Sequence, residues 1–106
     1  MVLEIKDDSF KQEVEDYKGL VLVDFWAPWC GPCQAAAPVI DSVAEEMKEK
    51  VKVVKLNVDD NQGTASKFGV MSIPTFIFFR DGKEVERKVG LQSKEEFIGT
   101  VDNLKA

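Results

Sequence analysis

Hydrophobic residues in this chain come in two rhythms, near-continuous runs and stripes at helical spacing, and the two alternate along its length. VLEI (2–5) predicts a short strand. Ser9 and Gln12 form a capping-box signature, after which Phe10, Val14 and Tyr17 recur at helical spacing. LVLVDFW (20–26) is almost unbroken apolar sequence, as expected of a strand buried on both faces. A helix is predicted from Pro32 to Lys50, then a second buried strand over VKVVKLNV (51–58) and a short helix around Thr64 to Phe68. TFIFF (75–79) is a third strong strand, and Asp81-Gly82 is a hairpin turn signal leading into EVERKV (84–89). Ser93 and Glu96 cap a last helix that carries Phe97, Ile98, Val101 and Leu104 on one side.

The predicted order is β-α-β-α-β-α-β-β-α. It implies an α/β fold, a mixed central sheet of about five strands with helices on both faces. The early strands, joined through helices, should be parallel, and the final hairpin antiparallel. No linker, repeat or low-complexity stretch interrupts the pattern, so residues 1–106 are expected to form one domain.

Composition narrows the function. A net charge of −5 argues against nucleic acid and anionic membrane surfaces, which need clustered Lys and Arg. The absence of histidine removes the commonest general base and the commonest metal ligand. The start, MVLEIKDDSFK, lacks the basic and apolar segments of a signal peptide, and no apolar run approaches the ~20 residues of a membrane span. A cytoplasmic chain is the expectation, and there two cysteines are more often reactive or metal-binding than structural.

Both cysteines lie in FWAPWCGPC (25–33), three residues apart. With Cys33 at zero on a helical wheel, Ala36, Ala37, Ile40, Val43, Ala44 and Met47 all fall within about 80° of it. Cys33 therefore begins the apolar stripe and should be shielded. Cys30 precedes the first turn and is expected to see solvent and the positive end of the helix dipole, which favours thiolate over thiol. Pro32 suits the first helical position, because its missing N–H is not needed there. Pro38 should kink the helix by removing the bond to the Gln34 carbonyl. One exposed nucleophile and one shielded resolver make a redox pair. A structural disulfide would close only a tiny loop. A structural zinc site would need two more ligands than C-x-x-C supplies. Haem attachment would need a histidine where Gln34 stands.

Two further residues are read from their strands. Asp24 is an acid inside LVLVDFW, and a buried, incompletely paired carboxylate has a raised pKa that suits a base serving Cys33. Lys55 is the lone cation in VVKLNV: it either lies beside Asp24 on an adjacent strand or snorkels from a sheet edge.

WCGPC (29–33) preceded by VDFWAP (23–28), then SIPTF (72–76) and a glycine, Gly90, before the last helix stand in the order and spacing of one family. Over essentially its whole length the chain resembles the thioredoxins. The resemblance implies the thioredoxin fold and reduction of protein disulfides by dithiol–disulfide exchange. It also implies a monomer with no bound cofactor beyond the redox-active Cys30-Cys33 disulfide. The implied partners are disulfide-containing target proteins and, as electron donor, a thioredoxin reductase. Gly31-Pro32 looks like the reductase version of the motif; isomerases and strong oxidants of the superfamily typically carry His before the second Cys, and glutaredoxins have Pro-Tyr. The family's buried Asp matches Asp24. On sequence alone Ile73-Pro74 is equally well a plain strand start; the resemblance implies a cis bond facing the cysteines. Trp29, Gly31, Pro32, Ile73, Pro74 and Gly90 then form a flat, largely apolar substrate-binding patch. Gln34 departs from the family, which commonly has Lys or Arg there, and this affects the steering of acidic partners and the redox potential.

Overall fold

The computed structural model describes residues 2–105. Its elements are β1 (Leu3–Ile5), β2 (Leu20–Trp26), α1 (Gly31–Glu46), β3 (Lys52–Asn57), α2 (Gln62–Lys67), β4 (Thr75–Arg80), β5 (Lys83–Val89) and α3 (Lys94–Lys105). The five strands form one sheet in the order β1-β3-β2-β4-β5. β2 is central, and alternate residues along it serve two cores. Leu20 and Leu22, with Val53, Phe76 and Phe78, pack on α1 and on Phe97 and Val101 of α3. Val21, Val23 and Phe25, with Leu56 and Phe79, pack on Phe10, Val14 and Ala65 on the opposite face. Two-sided burial explains why this strand reads as a continuous apolar run.

The expected parallel pairing holds for β1 with β3 and β3 with β2, and β5 is antiparallel to β4. β4, although reached through α2, runs antiparallel to β2. The reason is length. A six-residue helix spans about 9 Å, whereas a six-residue strand spans about 20 Å. α2 therefore cannot carry the chain back along the sheet, and β4 starts near the end that β3 leaves. Thr75 consequently sits opposite Phe25, at the carboxyl end of β2 where α1 begins.

The segment after β1 differs from the expected capped helix. A 3-10 turn at Asp7–Ser9 comes first, followed by π-type turns over Lys11–Glu15. Ser9 closes the earlier turn, accepting the Lys6 amide N–H at 3.0 Å. The chain turns early because Asp7 is held from outside the segment: its carboxylate accepts the Gly63 and Thr64 amides and the Thr64 hydroxyl. Burial pulls the Asp7 carboxyl upward, but these bonds outweigh it and hold the group below the usual carboxylate value. The stability that follows is present above the unfolded-state pKa and is lost as pH falls through the lowered folded-state value. Asp7→Ala should cost about 1–2 kcal/mol at pH 7 and less in acid, read from denaturant melts at both pH values. A pH-independent loss would mean that the residue acts through packing alone.

α1 starts one residue before the expected point, runs through Pro38 and stops at Glu46 rather than Lys50. There the Val51 amide turns back to the Met47 carbonyl at 3.0 Å, aiming the chain into β3. Asp81 and Gly82, both with positive φ (51° and 84°), make the β4–β5 turn. A Cβ at Gly82 would collide with the Glu15 carbonyl oxygen. Ser93 Oγ accepts the Glu96 amide and caps α3 as expected.

Candidate functional site

β2 ends, the chain turns over Ala27–Trp29, and α1 begins with Cys30 as its N-cap. Cys30 Sγ accepts the Cys33 amide N–H at 3.2 Å, so the sulfur occupies the place a capping oxygen would take. Cys30 and Cys33 are joined in a disulfide with a Cα–Cα distance of 5.2 Å. The exposure expected of Cys30 is not found in this state. Cys30 is 4% exposed and Cys33 5%, because Cys30 Sγ is tucked 3.9 Å from the Ile73 carbonyl oxygen. What distinguishes the two sulfurs is the helix N-terminus that addresses Cys30.

The Ile73-Pro74 peptide bond is cis, and the loop carrying it meets α1 at Cys30. Gly90, at φ 89°, donates its amide to the Pro74 carbonyl at 2.8 Å and brings the end of β5 to the same place. Trp29, Gly31 and Pro32 are exposed and Ile73 and Gly90 half-buried, but Pro74 is buried. Five of the six residues expected in the patch thus reach the surface, and Pro74 does not. Trp29 is 69% exposed, with its indole N–H on Asp59 Oδ2 at 2.9 Å and Oδ1 at 3.1 Å. Beside it a cleft of about 380 Å3 is lined by Trp29, Val58, Val70, Met71, Ser72 and Ile73. Met71 is 95% exposed. Sequence reading missed Val70 and Met71; the signal was two apolar residues in the loop directly before SIP.

Asp24 is 5% exposed, and its Oδ1 has no hydrogen-bond partner. Burial pushes its carboxyl up to about 7, with Lys55 opposing the shift and Glu4 and Asp41 adding to it. Lys55 stands directly opposite Asp24 in the β2–β3 register, yet its ammonium lies out over the Trp26 ring at 5.0 Å and 4.0 Å from Glu4 Oε1. Lys55 thus neighbours Asp24 with its ammonium turned toward Glu4 and Trp26, and the expected sheet edge is not found, since β3 lies between β1 and β2. Trp26 is half-buried against Ala27 and the cysteine pair, and Phe25 is in the core. Gln34 is exposed, and its side-chain amide donates to the Pro28 carbonyl at 2.9 Å, bracing the loop before Cys30.

Among the described residues no group of three or more His, Cys, Asp or Glu is placed to hold a metal ion. The family model for thioredoxin matches residues 1–103. The chain belongs to the thioredoxin family. It is 51% identical to a thioredoxin of Bacillus subtilis, with 89% of this chain and 88% of that protein covered. It is 49% identical to thioredoxin 1 of Synechococcus elongatus, with 92% of each covered. It is 44% identical to the thioredoxin of Rickettsia prowazekii, with 96% of this chain and 97% of that protein covered. It carries a close Cys-x-x-Cys pair, and its chemistry is dithiol–disulfide exchange, the reduction of protein disulfides. The redox group is the Cys30-Cys33 pair itself.

Proposed function

We propose that residues 1–106 form a single-domain, monomeric, cytoplasmic thioredoxin, a general reductant of protein disulfides re-reduced by a thioredoxin reductase. The observation that carries the assignment of roles is the Cys30 sulfur in the N-cap place of α1, accepting the Cys33 amide beside the Ile73 carbonyl. In the reduced protein a thiolate at Cys30 gains most from that amide and from the helix N-terminus. It attacks one sulfur of a target disulfide, forming a mixed disulfide while the other target sulfur leaves and takes a proton from water. Cys33 then passes its proton to the Asp24 carboxylate and attacks Cys30 Sγ. The second target sulfur leaves as a thiolate and takes up a proton, Asp24 gives up the one it accepted, and the Cys30-Cys33 disulfide remains. Trp29, Gly31, Pro32, Ile73 and Gly90 receive the target, Pro74 shapes that surface, and the Ile73 backbone pairs with an extended target segment. Lys55 moderates the charge on Asp24. Electrons return when the reductase's own dithiol attacks the Cys30-Cys33 disulfide.

Two measurements test this reading together. With dithiothreitol as electron source, catalytic amounts of the protein should accelerate reduction of insulin disulfides. Brief iodoacetamide treatment of the reduced protein near pH 7, mapped by mass spectrometry, should label Cys30 well before Cys33. Equal labelling, or Cys33 first, would sink the division of roles.

A further inference from the structure

Glu4 lies on β1, two strands from β2, yet the sheet sets it in the same cross-strand row as Asp24. Register pairs Glu4 with Lys55 across β1 and β3, and Lys55 with Asp24 across β3 and β2. The row continues from Asp24 to the apolar Phe76 on β4 and then to Lys88 on β5, whose ammonium is engaged by Glu96. On the helix packed over this face, Asp41 is the acid that acts on Asp24. Lys55 is therefore the cation set beside Asp24, and where its ammonium sits decides how strongly it holds the carboxylate.

Glu4 and Trp26 fix that position. One Glu4 oxygen accepts the Trp26 indole N–H at 3.3 Å, the other stands 4.0 Å from Lys55 Nζ, and the same ammonium lies 5.0 Å above the Trp26 ring. The three side chains close a triangle of mutual contacts. Meanwhile Asp24 Oδ1 has no donor at all, although a four-carbon lysine stem starts on the adjacent strand. The lysine could reach inward, and it is turned outward instead.

We propose that Glu4 is a positioning residue for the resolving half of the exchange, drawing the Lys55 ammonium onto Trp26 and away from Asp24 so that Asp24 remains a base. The inference rests on Asp24 serving Cys33. Removing the Glu4 charge frees Lys55 to turn toward Asp24 and removes a negative charge two strands away, roughly 10 Å off. Both changes make Asp24 more acidic.

The test is Glu4→Gln, which keeps an acceptor for Trp26 on a solvent-exposed side chain and should leave the fold intact. The Asp24 carboxyl titration, followed by carbon NMR in the reduced protein, should move down by about half a pH unit. The release rate from a preformed Cys30 mixed disulfide should change in opposite senses on the two sides of neutrality. At pH 6 more Asp24 is ionised and release should be about 1.5-fold faster; above pH 8 the weaker base should make it about half as fast. A structural role would slow both limbs alike. In a Lys55→Gln background the titration shift from Glu4→Gln should fall by more than half. An equal shift in both backgrounds would overturn positioning, leaving Glu4 a distant charge, and an unmoved titration would overturn the inference outright. If Asp24→Asn leaves the release rate and its pH profile unchanged, the base role of Asp24 falls and the Glu4 proposal falls with it. If Asp24→Asn slows release but Glu4→Gln changes nothing, Glu4 alone is wrong.

Discussion

Cys30→Ser should lose at least about a thousandfold in insulin-reducing turnover, while Cys33→Ser should lose turnover but retain the first attack. At neutral pH a serine hydroxyl stays protonated, whereas even an ordinary thiol of pKa ~8.5 is about 3% thiolate at pH 7. The fold gives no reason for the first variant to fail on other grounds. Cys30 is the N-cap of α1 and accepts the Cys33 amide, and serine is among the preferred residues for that task. In Cys33→Ser the nucleophile keeps its place, but no second thiol is within reach of the mixed disulfide, so the target stays attached. Incubating each reduced variant with a disulfide protein and separating the products without reductant reads the difference directly. Cys33→Ser should give an adduct band that dithiothreitol dissolves; Cys30→Ser should give little. Comparable adducts from both would mean that either sulfur can lead, and that the amide at Cys30 does not select the nucleophile.

The parts of this architecture that were legible in the sequence are those set by local pattern. Leu20–Trp26 announces a central strand because both faces of β2 are buried, and the stripe through Cys33, Ala36, Ile40, Val43 and Ala44 announces the buried side of α1, although Ala37, expected in it, is exposed. The hairpin at Asp81-Gly82 is visible because positive φ at both positions needs residues that tolerate it. What escaped depends on distant partners. The direction of β4 follows from how little distance α2 covers. Ser9 does not cap a helix because Asp7 is held by Gly63 and Thr64, more than fifty residues on. The burial of Cys30 comes from the Ile73 carbonyl, 43 positions away. Lys55 beside Asp24 is one of two readings the sequence offers, but the place of Glu4 in the same row appears only once strand register is known. The cis bond at Ile73-Pro74 came from the family resemblance, because its residues alone fit a trans strand start equally well.

Asp24→Asn should stabilise the protein, by an amount that grows with pH. The Asp24 carboxyl is raised from 3.8 to about 7, chiefly by burial, so between those values the folded protein binds a proton that the unfolded chain has released. A group raised in this way contributes fully below the unfolded pKa of 3.8, and the contribution is lost as pH rises through about 7. Three pH units correspond to roughly 4 kcal/mol, so above pH 8 the wild-type protein carries a cost of up to about that size. Asparagine keeps the shape and removes the ionisation. Its amide meets the same shortage of partners as Asp24 Oδ1, which offsets part of the gain. The expected difference is about 2–3 kcal/mol in favour of the variant at pH 8.5, or a rise in Tm of about 10 °C or more. Below about pH 3, where wild-type Asp24 is protonated in both states, the two proteins should agree within about 1 kcal/mol. The same substitution should slow release from the mixed disulfide by at least about tenfold near pH 7.5, because Cys33 loses its base, and leave the rate of first attack nearly unchanged. Denaturant melts at both pH values, with single-turnover kinetics on a Cys30 mixed disulfide, separate these effects. A variant less stable than wild type at pH 8.5 would mean that the ionised Asp24 is well paired in solution, and that neither its burial nor its basicity costs the fold anything.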